Sequence, residues 1–385
     1  MIFDLCTYLI VFMITAIMAS LYQKYCPPFT VKVDLGTITY KNHMLYLFGG
    51  CCFLFPIIAM YGLRYGIGTD YNNYKQLYDV LHETSFSTYW MKHSEGSGVY
   101  YVELLYYFLN VIMPNYVILQ WSLAIIIYTL LCLALRQYYG HLSYAYAIFI
   151  YLATQFIYSM NATRFSIALC FLLLSYIALA KGRDKRFFVC VILASLFHTS
   201  ALFCLPIYFL KEYKHKYANS KRNITLLFLI ILFPLLVQYV FNFASIFPVF
   251  ARYFSTCIYA INTQIESGFK WLIHIVPIII PLILFCRKEI FYSADTSIYF
   301  RISLMEIPFR MLGIYNTYFT RYARCSQIVL VILIPLILAR VTDKKKRTLL
   351  ASYYVLWYVF YFAYYAIVND QGASLPYMWI FSKSD

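Results

Sequence analysis

The chain alternates long apolar runs with short polar breaks, and the lengths of the runs set the first expectation. Ile2 to Leu21, Met44 to Tyr61, Tyr116 to Leu135, Leu142 to Met160 and Phe165 to Ala180 approach or reach the roughly 20 residues a helix needs to cross a bilayer. Ile224 to Phe243, Trp271 to Cys286, Ser297 to Phe319, Gln327 to Ala339 and Leu349 to Val368 continue the series. Two runs do not fit a full crossing. Val99 to Met113 is short, holds Glu103 and stops at Pro114-Asn115, which predicts a half-helix dipping in from one side. Phe187 to Leu210 lies between two basic loops, so both its ends belong on one face. Either one of those loops departs from the orientation rule and the segment crosses once, or it is a re-entrant hairpin broken at His198-Thr199-Ser200, the reading taken here. The pattern predicts an all-α, polytopic integral membrane protein of about 10 to 12 transmembrane helices, built as a single transmembrane domain over 1–385.

Charge orients these runs. Lys24, Lys32 and Lys41 mark the first loop as cytoplasmic, as do Lys181 to Arg186, Arg287-Lys288 and Lys344 to Arg347 for later loops. Both termini then fall outside, and Met1 to Tyr22, with Asp4 and no basic leader, reads as an uncleaved first span. Two segments become outer-face loops: 62–98, with an amphipathic helix near Tyr74 to Leu81, and 244–270, where Arg252 sits on a second short helix.

Composition agrees. The chain is 63% hydrophobic and 12% charged, against about 25% charged in soluble domains. Its net charge of +15 is accounted for by the loops that set orientation, and no soluble basic domain exists to bind nucleic acid. The eleven cysteines are scattered with no CxxC or Cys/His cluster, so neither a zinc site nor a disulfide framework is expected. Aromatic residues reach 21%, with 42 tyrosines. That exceeds what interfacial belts need and suits stacking on sugar rings, although belt and lipid-facing positions account for most of them.

Candidate chemistry starts at Leu63 to Tyr78, where Arg64, Asp70 and a series of tyrosines surround Gly66 and Gly68 directly after an apolar run. An interfacial turn with a tyrosine belt is the plain alternative. Placing the spans brings Arg64, Asp70, Glu103, Arg164, Arg252, Arg321 and Arg324 to the outer side. Arginine is unexpected there and matches phosphate oxygens by paired donation. Snorkelling to lipid phosphates is the plain reading of Arg164, and a structural pair with an arginine is that of Glu103. Glu306 and Arg310, four apart, can pair on one helix face. No phosphate loop, HExxH or nucleophile elbow is present.

Arg64-x-Gly66-x-Gly68-Thr69-Asp70-Tyr71-x-x-Tyr74 resembles the hallmark of the EpsG-type, Wzy-like exopolysaccharide and O-antigen polymerases. The resemblance continues through Glu103 in YYVELLYYFLN, Arg164 in RFSIAL, His198 in ASLFHTSAL, the Arg321/Arg324 segment and Pro376-Tyr377. One departure is Thr163, where family members often carry glutamine or arginine before the residue matching Arg164.

The resemblance implies a GT-C-like glycosyltransferase of the bacterial inner membrane, facing the periplasm. It would polymerise undecaprenyl-diphosphate-linked oligosaccharide repeat units, with donor and acceptor both lipid-linked, no metal and no cofactor. A separate chain-length regulator is an implied partner. On this reading Arg164, Arg252, Arg321 and Arg324 hold substrate diphosphate with Tyr71 and Tyr74, and Arg64 either pairs with Asp70 to orient it or binds phosphate itself. Asp70 or Glu103 serves as base, and His198 contacts phosphate or acceptor. A flippase or other transporter, or a ligase acting on the same lipid-linked glycan, are the competing expectations. A flippase predicts a cavity charged through both halves and an inverted repeat.

Overall fold

The computed structural model describes residues 2–26, 41–95, 102–211, 272–313, 318–368 and 374–382. Every element among these residues is helical, apart from one isolated bridge between Arg64 and Trp379. This is an all-α polytopic membrane protein, as its hydropathy pattern predicts. Five helices have the length and apolarity to cross a membrane: Phe3–Tyr25, Tyr116–Arg136, Thr163–Ala180, Phe319–Arg340 and Lys344–Ile367. Ile224 to Phe243 and the 244–270 loop with Arg252 lie outside the described residues.

In chain order the helices are α1 (Ile2–Tyr25), α2 (Lys41–Gly62), α3 (Tyr71–His82), α4 (Phe86–Ser94), α5 (Leu104–Ile112), α6 (Tyr116–Arg136), α7 (Tyr144–Asn161), α8 (Thr163–Ala180) and α9 (Asp184–Ser195). A 3-10 helix follows over Thr199–Leu210. Then come α10 (Leu272–Phe285), α11 (Arg287–Ile290), α12 (Ala294–Leu304), α13 (Glu306–Leu312), α14 (Tyr318–Gln327), α15 (Leu330–Arg340) and α16 (Lys344–Ala363), which ends in a π-helical turn, Tyr364–Val368.

Burial separates centre from rim. The apolar window of Phe319–Arg340 is 94% buried and that of Thr163–Ala180 83%, whereas α1 and α16 bury about a third or less and face outward. α7 packs between the two classes, against α1, α8, α15 and α16. Its side chains are buried almost all round, as expected of a helix enclosed by others.

The two short elements behave as their lengths require. α5 has 9 residues, about 13.5 Å, and does not cross a hydrocarbon core of about 30 Å. α9 and the 3-10 helix, 12 residues each, form a hairpin with its tip at Leu196 to His198. At its base the Asp184 carboxylate accepts hydrogen bonds from Lys211 and the Tyr208 hydroxyl, and Tyr208 packs on Phe187 and Phe188. Both ends therefore lie together, as the basic flanks predict.

The expected single span Ser297 to Phe319 is instead two helices, α12 and α13, meeting at Met305. Pro308 explains the break. It lacks an N–H and its ring would clash with the carbonyl four residues back, at Leu304, where α12 ends. In α13 it falls in the first turn, where no intrahelical donor is required.

The helix ends sort by charge. Arg136, Lys181 to Arg186, Arg340 and Lys344 to Arg347 gather at one end, where Lys181 Nζ donates to the Gln137 carbonyl and Arg340 to Ser293 and Thr296. The ends of α2 and α7, the starts of α6 and α8, and the hairpin tip collect at the other.

Candidate functional site

The loop between α2 and α3 docks on the end of α7. Thr69 Oγ1 donates to Asn161 Oδ1 at 3.1 Å. Gly68 has φ of +112°, and a Cβ there would stand 3.1 Å from Asn161 Oδ1 and 3.3 Å from the Met160 carbonyl. The turn is left-handed and close-packed, and only glycine satisfies both conditions. Gly66, at φ +64°, completes the reversal.

Arg64 is 2% exposed. Its guanidinium lies 4.3 Å from the centre of the Tyr61 ring, and Nε and Nη1 have no hydrogen-bond partner among the described residues. A C-terminal strap, residues 374–382, covers it. The Tyr65 N–H donates to the Met378 carbonyl at 3.0 Å and the Ile380 N–H to the Leu63 carbonyl at 2.8 Å. The Tyr377 ring meets Tyr8 at 5.5 Å and Trp379 at 4.7 Å, and its hydroxyl donates to the Met60 carbonyl.

Of the two roles the resemblance allows Arg64, the pairing with Asp70 is not present in the structure. The Asp70 carboxylate sits at the start of α3, half-buried. It makes no capping bond and no ion pair among the described residues, with only a 3.5 Å approach from Asn73 Nδ2. Tyr71 is buried against Tyr116 at 5.4 Å and Tyr65 at 6.1 Å, inside the packing of the loop. Tyr74 is half-buried and lies within electrostatic reach of Arg164.

A second group forms where α5, α8 and the hairpin tip meet. Arg164 Nη1 donates to Glu103 Oε2 at 2.8 Å, and Glu103 Oε1 accepts from the Thr199 N–H at 3.1 Å. Both carboxylate oxygens are thus engaged. The Arg164 guanidinium faces the Tyr106 ring at 5.5 Å. His198, at the hairpin tip, packs edge-on to Phe165 at 5.0 Å, and its Nδ1 meets Ser200 Oγ at 2.6 Å. Arg164 and Arg321 both lie within electrostatic reach of it.

α14 brings the remaining arginines. Arg321 is exposed. Arg324 is 4% exposed, stacks 3.8 Å from the Tyr158 ring centre and donates to the Thr154 carbonyl at 3.3 Å. Tyr158 is within electrostatic reach of Arg321, Arg324 and Tyr74, and packs on Phe165 at 6.0 Å. Glu103, Arg164, His198, Arg321, Arg324 and Tyr74 therefore surround one aromatic centre. Arg64 stands apart behind Tyr61, and Arg252 lies outside the described residues.

Beyond Arg324 lies a buried polar network that sequence patterning leaves largely unmarked. Glu306 pairs with Arg310, as their spacing allows, and Gln327, Gln155, Tyr361 and His274 extend the network. The intramembrane position of Glu306 and Arg310 is the one sequence signal for it. Among the described residues no group of three or more His, Cys, Asp or Glu could hold a metal ion.

Arginines and carboxylates gather at one end of a polytopic helical membrane bundle. The family model of the EpsG family matches residues 47–379, most of the chain, and the protein belongs to the EpsG family of exopolysaccharide- and O-antigen-polymerase-type membrane proteins. No curated protein and no solved structure matches the chain.

Proposed function

We propose that the protein polymerises polyprenyl-diphosphate-linked repeat units, transferring the growing glycan en bloc from its lipid diphosphate to a new lipid-linked unit. The observation that carries this reading is Arg324, a buried guanidinium that makes no ion pair among the described residues. A buried, uncompensated cation is costly unless an anion arrives to meet it. Arg321, within electrostatic reach of the same tyrosine, and Arg164, which shares Tyr74 and His198 with that group, add two further cations.

The chemistry follows from the placement. An acceptor hydroxyl oxygen attacks the anomeric carbon of the donor glycan. The bond from that carbon to the diphosphate oxygen breaks, and its electron pair leaves with the diphosphate. The arginines stabilise the charge gathering there, and in a site shielded from water such fixed charges act strongly. The hydroxyl proton passes to Asp70, whose carboxylate is accessible and unpaired. Glu103 is less suited to that role, because Arg164 and the Thr199 N–H occupy its oxygens. It orients Arg164 instead. The membrane face is the periplasmic one, where lipid-linked repeat units supply their own leaving group.

The test is turnover of a purified lipid-diphosphate repeat unit in detergent, with products separated by glycan length. The protein yields a ladder, and Arg324→Ala lowers the rate by about 100-fold or more. Absence of a ladder, with movement of the lipid across proteoliposomes, would overturn the reading in favour of a transporter.

A further inference from the structure

The proposed chemistry uses Arg324 but not the residues behind it. Gln327 lies one turn further along α14, and its side-chain amide is engaged on both sides. Nε2 donates to Glu306 Oε1 at 3.1 Å and reaches the Tyr361 hydroxyl at 3.4 Å, while Oε1 accepts from Gln155 Nε2 at 3.2 Å. Arg310 Nε donates to the same Glu306 oxygen at 3.0 Å. The Tyr361 hydroxyl meets His274 Nδ1 at 2.9 Å. Gln155, His274, Glu306, Arg310 and Gln327 are all buried. They come from α7, α10, α13 and α14, with Tyr361 from α16, so five helices converge on one cluster.

Two features make this more than a satisfied interior. The first is its charge. Glu306 is within electrostatic reach of Arg324 as well as Arg310, so one buried carboxylate faces two guanidiniums. Its oxygen is committed to Arg310 and Gln327, and Arg324 is left with a carbonyl and a ring. The second is the helix itself. Just after Gln327 the backbone leaves the regular ladder, with i to i+3 bonds from Val329 to Ser326 and from Val331 to Ile328. A short 3-10 stretch within a helix often marks a hinge, and hydrogen bonds between helices fix the orientation of the segment beside it. Hydrogen bonds from Gln327 to α7 and α13 fix the turn at which Arg324 meets Tyr158.

We infer that Arg310 and Gln327 are positioning residues for Arg324: Arg310 holds Glu306 away from Arg324, keeping its charge for the ligand, and Gln327 fixes the rotation of the helix that carries it. This rests on the diphosphate-clamp reading of Arg324. Without Arg310, Glu306 turns to Arg324 as its nearest remaining cation, and the clamp is neutralised from behind.

The experiment measures binding of farnesyl diphosphate, a short polyprenyl diphosphate probe, to the purified full chain, with thermal melting in parallel. Arg310→Met weakens binding by about tenfold or more, the scale of a lost charge-assisted contact. The double variant Arg310→Met with Glu306→Gln removes the intruding carboxylate and restores binding to within about threefold of the parent. A merely structural role also recovers in the double variant, since the lone buried carboxylate is gone, so Glu306→Gln alone separates the two: a structural role predicts weaker binding and a lower melting temperature, the positioning role binding at least as tight as the parent. Gln327→Leu lowers the melting temperature, because it leaves Glu306 and Gln155 short of a partner, and weakens binding under conditions where the variant is still fully folded. Should Arg310→Met not fold, Glu306→Gln alone decides, since it binds the probe at least as tightly as the parent. Unchanged binding in Arg310→Met, failure of the double variant to recover, or weaker binding in Glu306→Gln overturns the inference. Normal binding in Arg324→Ala overturns the clamp itself, so the two failures are told apart.

Discussion

Asp70 and Glu103 show how far a residue's chemistry depends on what already touches it. From sequence they are equivalent, two carboxylates placed on the same side of the bilayer. In the structure one is open and the other holds two donors. A carboxylate whose oxygens already accept from a guanidinium and a backbone N–H has less room to accept from a substrate hydroxyl. Asp70→Asn is expected to lower the polymerisation rate by about 100-fold or more with modest change in KM, as for loss of a general base. Glu103→Gln is expected to raise KM with a smaller effect on kcat, because it frees Arg164 from its orientation. Steady-state kinetics on the purified enzyme separates the two, and equal kcat losses would assign the base wrongly. Arg64 carries a different lesson. Its glycine-rich neighbourhood is visible in the sequence, but its burial beneath residues 374–382 is not, since that contact depends on chain folding across the whole protein.

At the scale of elements, the hairpin was legible because charge is conserved under folding. Basic residues flank both ends of Phe187 to Leu210, and no single crossing can put both on one face. The broken span at Met305 was not legible from hydropathy, which averages over Pro308. The hairpin base also carries a pH dependence. The Lys211 ammonium beside Asp184, helped by the Tyr208 hydroxyl, holds its carboxyl below the usual carboxylate range. A depressed value means that the pair stabilises the closed base above the unfolded aspartate value, about 3.9, and that this is lost as pH falls through the lower folded value. Lys211→Met is therefore expected to increase hydrogen exchange at residues 184–187 and 208–210 at neutral pH, by an amount equivalent to about 1 kcal/mol or less. At the acid limit of the folded Asp184 the variant and parent converge. A difference that persisted there would point to lost packing of the lysine stem on Tyr208.

At the scale of the molecule, the topology carried more of the site than any local motif. Arg164, Arg321 and Arg324 come from distant parts of the chain, and only the alternation of spans and basic loops places them together. The network behind Arg324 escaped because Gln155, His274, Gln327 and Tyr361 come from four separate helices, with no shared spacing to mark them. The strap is the other long-range feature. Tyr377, 8% exposed, fastens it through Tyr8, Trp379 and Met60. Tyr377→Ala is expected to cost about 3 kcal/mol, in the range for deleting a buried aromatic ring, and to lower the melting temperature of the detergent-solubilised protein. An unchanged melting temperature would mean that the strap contributes nothing to the bundle.

The strap also orders events in time. Tyr377 and the Met60 carbonyl it bonds are 317 residues apart. At about 5 to 20 residues per second, a ribosome needs about 15 to 60 s to travel between them. Throughout that interval the nascent protein carries Arg64 without its cover, while the helices that bear Arg164 and Arg324 are being inserted. A chain arrested before Ser374 would hold every arginine and carboxylate of the candidate site, yet it would still lack the strap that packs over the glycine-hinged loop. Stalled synthesis would therefore leave a bundle in the membrane with its Arg64 loop still uncovered, the cover arriving long after the motif itself has been made.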